Sequence, residues 1–222
     1  MFLGIRKIWV ALLSVPKSLV FNFSHFKITE AIKMPVLLHY KTNVNIKGQI
    51  MFVCPVKFGL VHYGFHEVEA CDSTQENVLK VFGKLILKGE AHLGKGTKII
   101  VYPNGELELG DNFAISASSV ICCYKHIVFG KDIQFSWDCL VMDSDTHLIF
   151  DDLGNQINQD KEIVFGNKVW IGNGCMILKG TKIPDTCVIG AKSVVSGAKY
   201  SSHTIIAGNP ARSIKNIGDF KI

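Results

Sequence analysis

The chain has 222 residues, 48% of them hydrophobic and 19% charged, which is enough for one domain with a sizeable core and too apolar for a disordered chain. The net charge of +5 is nearly all lysine, because Arg6 and Arg212 are the only arginines. That excess suits an anionic small ligand or an acidic membrane surface, and it is too weak and too poor in basic-aromatic modules for nucleic acid.

The first 40 residues read as a helical N-terminal arm. The apolar run IWVALLSV stops at Pro16 and no A-x-A site follows it, so the expectation is no signal peptide, and the run is too short to span a bilayer. Arg6, Lys7 and Lys17 make the arm basic and amphipathic, suited to lying on a membrane or packing on a partner subunit, and an ordinary packing helix fits the same residues equally well. Residues 41–80 read as an irregular first coil, with Ile46, Phe52 and Phe58 six apart and a polar loop over 66–77.

From residue 81 to 205 the spacing becomes regular. Val81, Leu87, Leu93 and Ile99 are six apart, as are Leu109, Ile115 and Ile121, then Phe129, Phe135 and Val141. Phe165, Ile171, Ile177, Ile183, Ile189 and Val195 continue the series. Neither a 3.6-residue helical period nor simple alternation generates this register; a six-residue repeat predicts a parallel β-helix. Two positions before the aliphatic stands a small residue, as at Ala91, Thr97, Ser119, Cys139, Cys175, Thr181, Cys187 and Ser193. Both positions face inward, because side chains alternate along a strand and a narrow prism holds one large and one small residue per face. Three of the seven cysteines are thereby inert wall residues. Cys54, Cys71, Cys122 and Cys123 have no such role, and none is followed by a credible base. The odd cysteine count, without a CxxC pair or metal-ligand spacing, predicts a reducing, cytoplasmic compartment.

Between Val141 and Phe165 the register lapses over a loop insertion, 143–162, that carries Asp143, Asp145, His147, Asp151 and Asp152. A rigid β-helix wall has few features, so a site has to be built by insertions at its corners. An imidazole is suited to accept a proton near neutral pH, which makes His147 the candidate base. A carboxylate on its other nitrogen would fix the tautomer, and Asp143 and Asp145 are equally placed in sequence to supply it. Asp151 and Asp152 read as a solvated turn with Gly154. The glycine and glutamate spacing of a calcium loop is missing.

The repeat, together with SWDCLVMDSDTH (136–147), VWIG (169–172) and GNPAR (208–212), resembles the hexapeptide-repeat acyltransferases. Within them the closest resemblance is to bacterial surface-polysaccharide O-acetyltransferases. The resemblance implies an all-β fold, a left-handed parallel β-helix, assembled as a homotrimer with a protruding catalytic loop. It implies acetyl-CoA as donor, no metal, and direct transfer to a sugar hydroxyl of a glycan acceptor with His147 as general base. It also implies an acceptor contact at Asp138, where several relatives carry asparagine; an ionised aspartate cannot donate to an oxyanion. For the donor it implies Trp170 flanking a groove, with Gly172, Gly190 and Ala191 allowing close approach and Arg212 and Lys215 meeting phosphates in the C-terminal extension, 206–222. Zinc hydratases share the β-helix, but their paired ligand histidines are not evident here. Acetylation of an amino sugar, a drug amine or serine would need the same base. A non-catalytic β-helical scaffold anchored by the arm is the alternative of another class, and it would have no use for the three motifs together.

Overall fold

The computed structural model describes residues 2–72 and 74–221, with side chains from residue 8 onward. The strands wind into a parallel β-helix of triangular section whose walls contain nine, seven and six strands. Each strand pairs with the equivalent strand one coil away, as Ile115 with Phe135 and Phe135 with Ile171. The coil is a left-handed parallel β-helix, as expected.

The interior follows from the repeat. Every aliphatic named above from Val81 to Val195 is buried, and so are the eight small residues that precede them by two. Phe129 and Phe165 stack one coil apart with ring centroids at 4.9 Å, and Phe113 and Phe135 pack tilted against Phe129. Cys123 is also interior, whereas its neighbour Cys122 faces out. Glycines mark corners where successive coils touch: a Cβ on Gly110 would lie 2.0 Å from the carbonyl oxygen of Gly130, and one on Gly130 would lie 2.3 Å from that of Gly166.

The β-helix begins earlier than the repeat predicts. Strands Val36–Leu38, Thr42–Ile46, Gln49–Phe52 and Val61–Tyr63 each enter a wall and pair in register with a strand of the next coil. Phe58, expected on the inner register, is 70% exposed; Val61 and Tyr63 fill the interior instead. At the other end, strand Thr204–Gly208 is still a parallel member of the nine-strand wall, and Ala211–Asn216 turns back antiparallel on it.

The arm is the 24-residue helix α1, Phe2–His25, followed by the single turn α2, Ile28–Ala31. The side chains of Arg6 and Lys7 lie outside those described. Helix α1 runs antiparallel to Val36–Leu38, the outermost strand of its wall. Asn22 bonds both the N–H and the carbonyl of Val36, at 3.1 and 2.7 Å. Ser18 Oγ accepts from Leu38 N at 2.9 Å, and Ser14 Oγ accepts from Tyr40 N at 3.0 Å. Four helical residues rise about 6.0 Å and two strand residues about 6.6 Å, so a polar ladder at i, i+4, i+8 matches alternate residues of an extended edge. The helix thus stands in for the missing strand, which an open edge requires.

Candidate active site

The loop leaves the β-helix at the corner between the seven- and six-strand walls. Strand Leu140–Met142 pairs with Met176–Leu178, and Ile163–Phe165 pairs with both His126–Phe129 and Lys182–Ile183. The coils therefore stack without a gap while residues 143–162 extend outward. The smaller insertions, between Ile99 and Leu109 and between Ile121 and Phe129, fall at the same corner of earlier coils.

Asp143 is fully buried at the base of the loop. Its carboxylate accepts the backbone N–H groups of Tyr124, Lys125 and His126 at 2.7, 2.9 and 2.8 Å, which gives the preceding coil's corner partners it would otherwise lack. Of the two carboxylates that the sequence offers to His147, Asp143 has its oxygens committed to the backbone.

Asp145 belongs to a second network. Its Oδ2 accepts from Asn158 Nδ2 at 3.0 Å and from Lys179 Nζ. The Lys179 ammonium and the Asn158 amide hold its carboxyl below the ordinary aspartate range. Asn158 is the hub. Its amide also donates to the His147 carbonyl at 2.7 Å and accepts from Ile149 N at 2.8 Å, while Lys179 Nζ donates to the Asn158 carbonyl at 2.8 Å. His147 is held by its backbone and its side chain is exposed. Among the described residues no group hydrogen-bonds the imidazole, so Asp145 positions the loop rather than the ring. Sequence reasoning missed Asn158 and Lys179: Asn158 is one polar residue among many inside the insertion, and Lys179 stands at a turn before Gly180 well beyond it.

Beyond His147 the loop folds into a short hairpin closed by an antiparallel bridge from Phe150 to Gln156. Asp151 closes the turn by accepting from Leu153 N and Asn155 N at 2.9 and 2.8 Å. It is the turn expected from the sequence. Its apolar residues face outward, Leu153 at 87% exposure.

Asp138 occupies a corner, not a wall. Its φ is 57°, and the equivalent corners at Gly96, Ser118, Gly174 and Lys192 have φ of 75°, 49°, 66° and 60°. Aspartate is among the non-glycine residues that tolerate this left-handed conformation, so the backbone alone accounts for the residue type. The side chain is exposed on the coil that carries the loop.

Trp170 points outward from the nine-strand wall, 45% exposed, with Nε1 donating to Ser136 Oγ at 3.4 Å. Gly172 and Gly190 lie at the next corner, stacked so closely that a Cβ on Gly172 would lie 2.7 Å from Ala191 N. Ala191 is exposed beside them. Arg212 and Lys215 are exposed on the terminal antiparallel strand, and Arg212 donates to its neighbour's carbonyl at 2.9 Å. The structure sets Trp170, on the nine-strand wall, near the corner formed by Gly172, Gly190 and Ala191, and places His147 at a separate corner of the same chain. Two open hollows occur elsewhere, one lined by Lys17, Lys41, Asn43 and Glu76 and one by Cys54, Lys57, Glu90 and Asp111. Neither is lined by the loop.

Among the described residues, one cluster has metal-ligand chemistry. Single ligand atoms of Glu106, Glu108 and His126 lie within 4.8 Å of one another. Each carboxylate already has an ammonium partner, Lys84 on Glu106 at 3.2 Å and Lys88 on Glu108, and His126 Nε2 lies 3.1 Å from Glu108. With cationic groups already there, the set is a charge ladder across the six-strand wall and does not fit a cation.

No protein-family profile matches the chain. It is 29% identical over 159 residues to a probable acetyltransferase of Mycobacterium tuberculosis, covering 60% of this chain and 52% of that protein. It is 27% identical over 132 residues to a putative lipopolysaccharide biosynthesis O-acetyl transferase of Escherichia coli, covering 55% and 66%. To a polysialic acid O-acetyltransferase of Escherichia coli it is 29% identical over 131 residues, covering 58% and 40%. The matched stretch thus spans about half the length of the curated relatives. Among solved structures, the polySia-specific acetyltransferase NeuO superposes with a TM-score of 0.53 at 20% identity, covering 83% of this chain and 74% of that one, a likeness of fold. By sequence the chain is similar to O-acetyltransferases of the hexapeptide-repeat type.

Proposed function

We propose that the protein is an acetyl-CoA-dependent O-acetyltransferase acting on a sugar hydroxyl. The observation that carries this reading is the loop 143–162, the longest interruption of the β-helix among the described residues, whose hydrogen-bonded base presents an exposed imidazole. The sequence similarity to O-acetyltransferases supports the reaction class. In the proposed reaction the acceptor hydroxyl oxygen attacks the thioester carbonyl while His147 takes its proton. The carbon–sulfur bond breaks, and the thiolate leaves with the proton returned by the imidazolium. Asp145, Asn158 and Lys179 act as positioning residues that hold the His147 backbone in place.

The donor's extended thioester arm would run along Trp170, Gly172, Gly190 and Ala191, where small residues let a ligand approach the backbone. Its phosphates would meet Arg212 and Lys215. Asp138, exposed on the same coil as the loop, would accept a hydrogen bond from the acceptor sugar.

A homotrimer belongs to the same reading, because base and donor wall lie apart on a single chain. The outer face of the seven-strand wall carries Ile100, Val120, Leu140, Met142, Met176 and Leu178 in register, an apolar surface suited to a second copy. A cytoplasmic location also belongs to it, supported by cysteines used as small packing residues.

Incubating the protein with acetyl-CoA and simple sugars and following release of the free thiol tests the reading. Acceptor-dependent release with a hydroxylamine-labile product is the expected result. A hydroxylamine-resistant product would move the acceptor to an amine, and no release with any sugar or amine would remove the transferase assignment.

A further inference from the structure

Helix α1 is amphipathic in the reverse sense to a helix packed on a core. Its inward stripe is the polar ladder Ser14, Ser18 and Asn22, all buried. At about 100° per residue the opposite arc holds Trp9, Leu12, Leu19, Val20 and Phe23, which are 61%, 58%, 41%, 67% and 48% exposed. The geometry of the cap favours this arrangement, because the side facing the open strand edge must donate and accept hydrogen bonds. Among the helix's described side chains Phe21 alone of the large apolar residues is buried beside the ladder, in the core, and the rest of the apolar stripe is left outside. An apolar stripe of this length on an otherwise well-packed chain marks an interaction surface.

Charge identifies the occupant. The first 29 residues contain Arg6, Lys7, Lys17 and Lys27 and no aspartate or glutamate. Lys27 and Lys33, at the end of the stripe, are exposed. Two copies of such a segment would repel one another, whereas an anionic lipid surface attracts lysines and takes up apolar side chains, with tryptophan at the interface. No helix among the described residues is long and apolar enough to cross a membrane, so the contact is one of lying on the surface. We propose that the outward face of α1 docks the protein on an anionic lipid bilayer, with the β-helix standing on its capped end. This goes beyond the proposed transferase activity and does not depend on it.

The test is flotation of the full chain with vesicles of phosphatidylcholine alone and of phosphatidylcholine with phosphatidylglycerol. The chain is expected to float with the anionic vesicles about tenfold more than with the neutral ones, and less as salt is raised. Trp9→Glu combined with Val20→Glu should abolish flotation with the melting temperature unchanged, since neither side chain touches the β-helix edge. Should this variant prove unstable, Leu12→Ser with Phe23→Ser provides the same readout. Wild-type chain that stays with neither vesicle, or variants that float as well as the wild type, would overturn the proposal. So would a fall in particle mass in the variant together with wild-type chain that ignores vesicles, which would assign the face to a second copy.

Discussion

The α1 cap and the loop 143–162 both lie outside the six-residue repeat, and both attach through a few polar side chains bonded to backbone. They differ in where those bonds fall. The cap is fixed along a strand edge by Ser14, Ser18 and Asn22, so one whole face is immobilised. The loop is fixed at its base by Asp143 and at its shoulder by Asn158, while the hairpin beyond stays outside. The first arrangement closes a fold; the second holds one residue, His147, in place and leaves the tip available for a ligand or a neighbouring subunit.

Substitutions can separate these roles. The largest effect should come from His147→Ala, which removes the proposed base and should lower the transfer rate by about 10²- to 10⁴-fold while leaving coenzyme affinity and melting temperature unchanged; wild-type turnover would remove the proposed mechanism. Asp143→Ala should act on stability first, costing about 3 kcal/mol in denaturant unfolding because backbone donors at 124–126 lose their acceptor. If that variant melts normally but is inactive, Asp143 acts on chemistry after all.

The cap end should be sensitive to acid. Burial first, and then the charge of Lys95, push His39 down to about 4, and its Nδ1 accepts from Lys41 N at 3.1 Å, a bond that protonation destroys. Because the folded-state value lies below the unfolded one, the neutral form is favoured by folding. Stability is therefore full above pH 6.5 and is lost as pH falls toward 4, by about 2 kcal/mol at pH 5. His39→Gln should flatten that slope in thermal melts between pH 7 and 5; an unchanged slope would assign it elsewhere. The smallest effect should be that of Asn158→Ala, which loosens the loop without touching the imidazole. A rate lower by about tenfold is expected, with stability nearly unchanged; a rate loss equal to that of His147→Ala would mean that Asn158 meets substrate.

The interior was readable because its rule is local. A residue six beyond Ile171 or Ile183 returns to the same side of the next wall, so Ile177 and Ile189 are buried whatever lies elsewhere. The loop's position was readable for the same reason, as a lapse in that rule. Phe58 failed because the chain from Cys54 to Leu60 bulges out of register, which spacing alone does not reveal. Asp143 and Asp145 looked alike in sequence because both stand beside His147. They separated once Asp143 turned inward to the corner at 124–126 and Asp145 met Lys179.

Sequence by itself determined the six-residue coil, the inward residues, the interruption at 143–162 and the histidine within it, since each depends on spacing along one strand or one turn. Only the tertiary structure decided which polar side chains join the parts: Asp143 beneath the preceding corner, Asn158 across the loop, and Ser14, Ser18 and Asn22 along the first strand. It decided too that α1 turns its apolar face outward. The reason is common to these cases. A polar side chain goes where a backbone N–H or carbonyl lacks a partner, and such groups exist only where strands end or coils depart from the stack, places that no local period records.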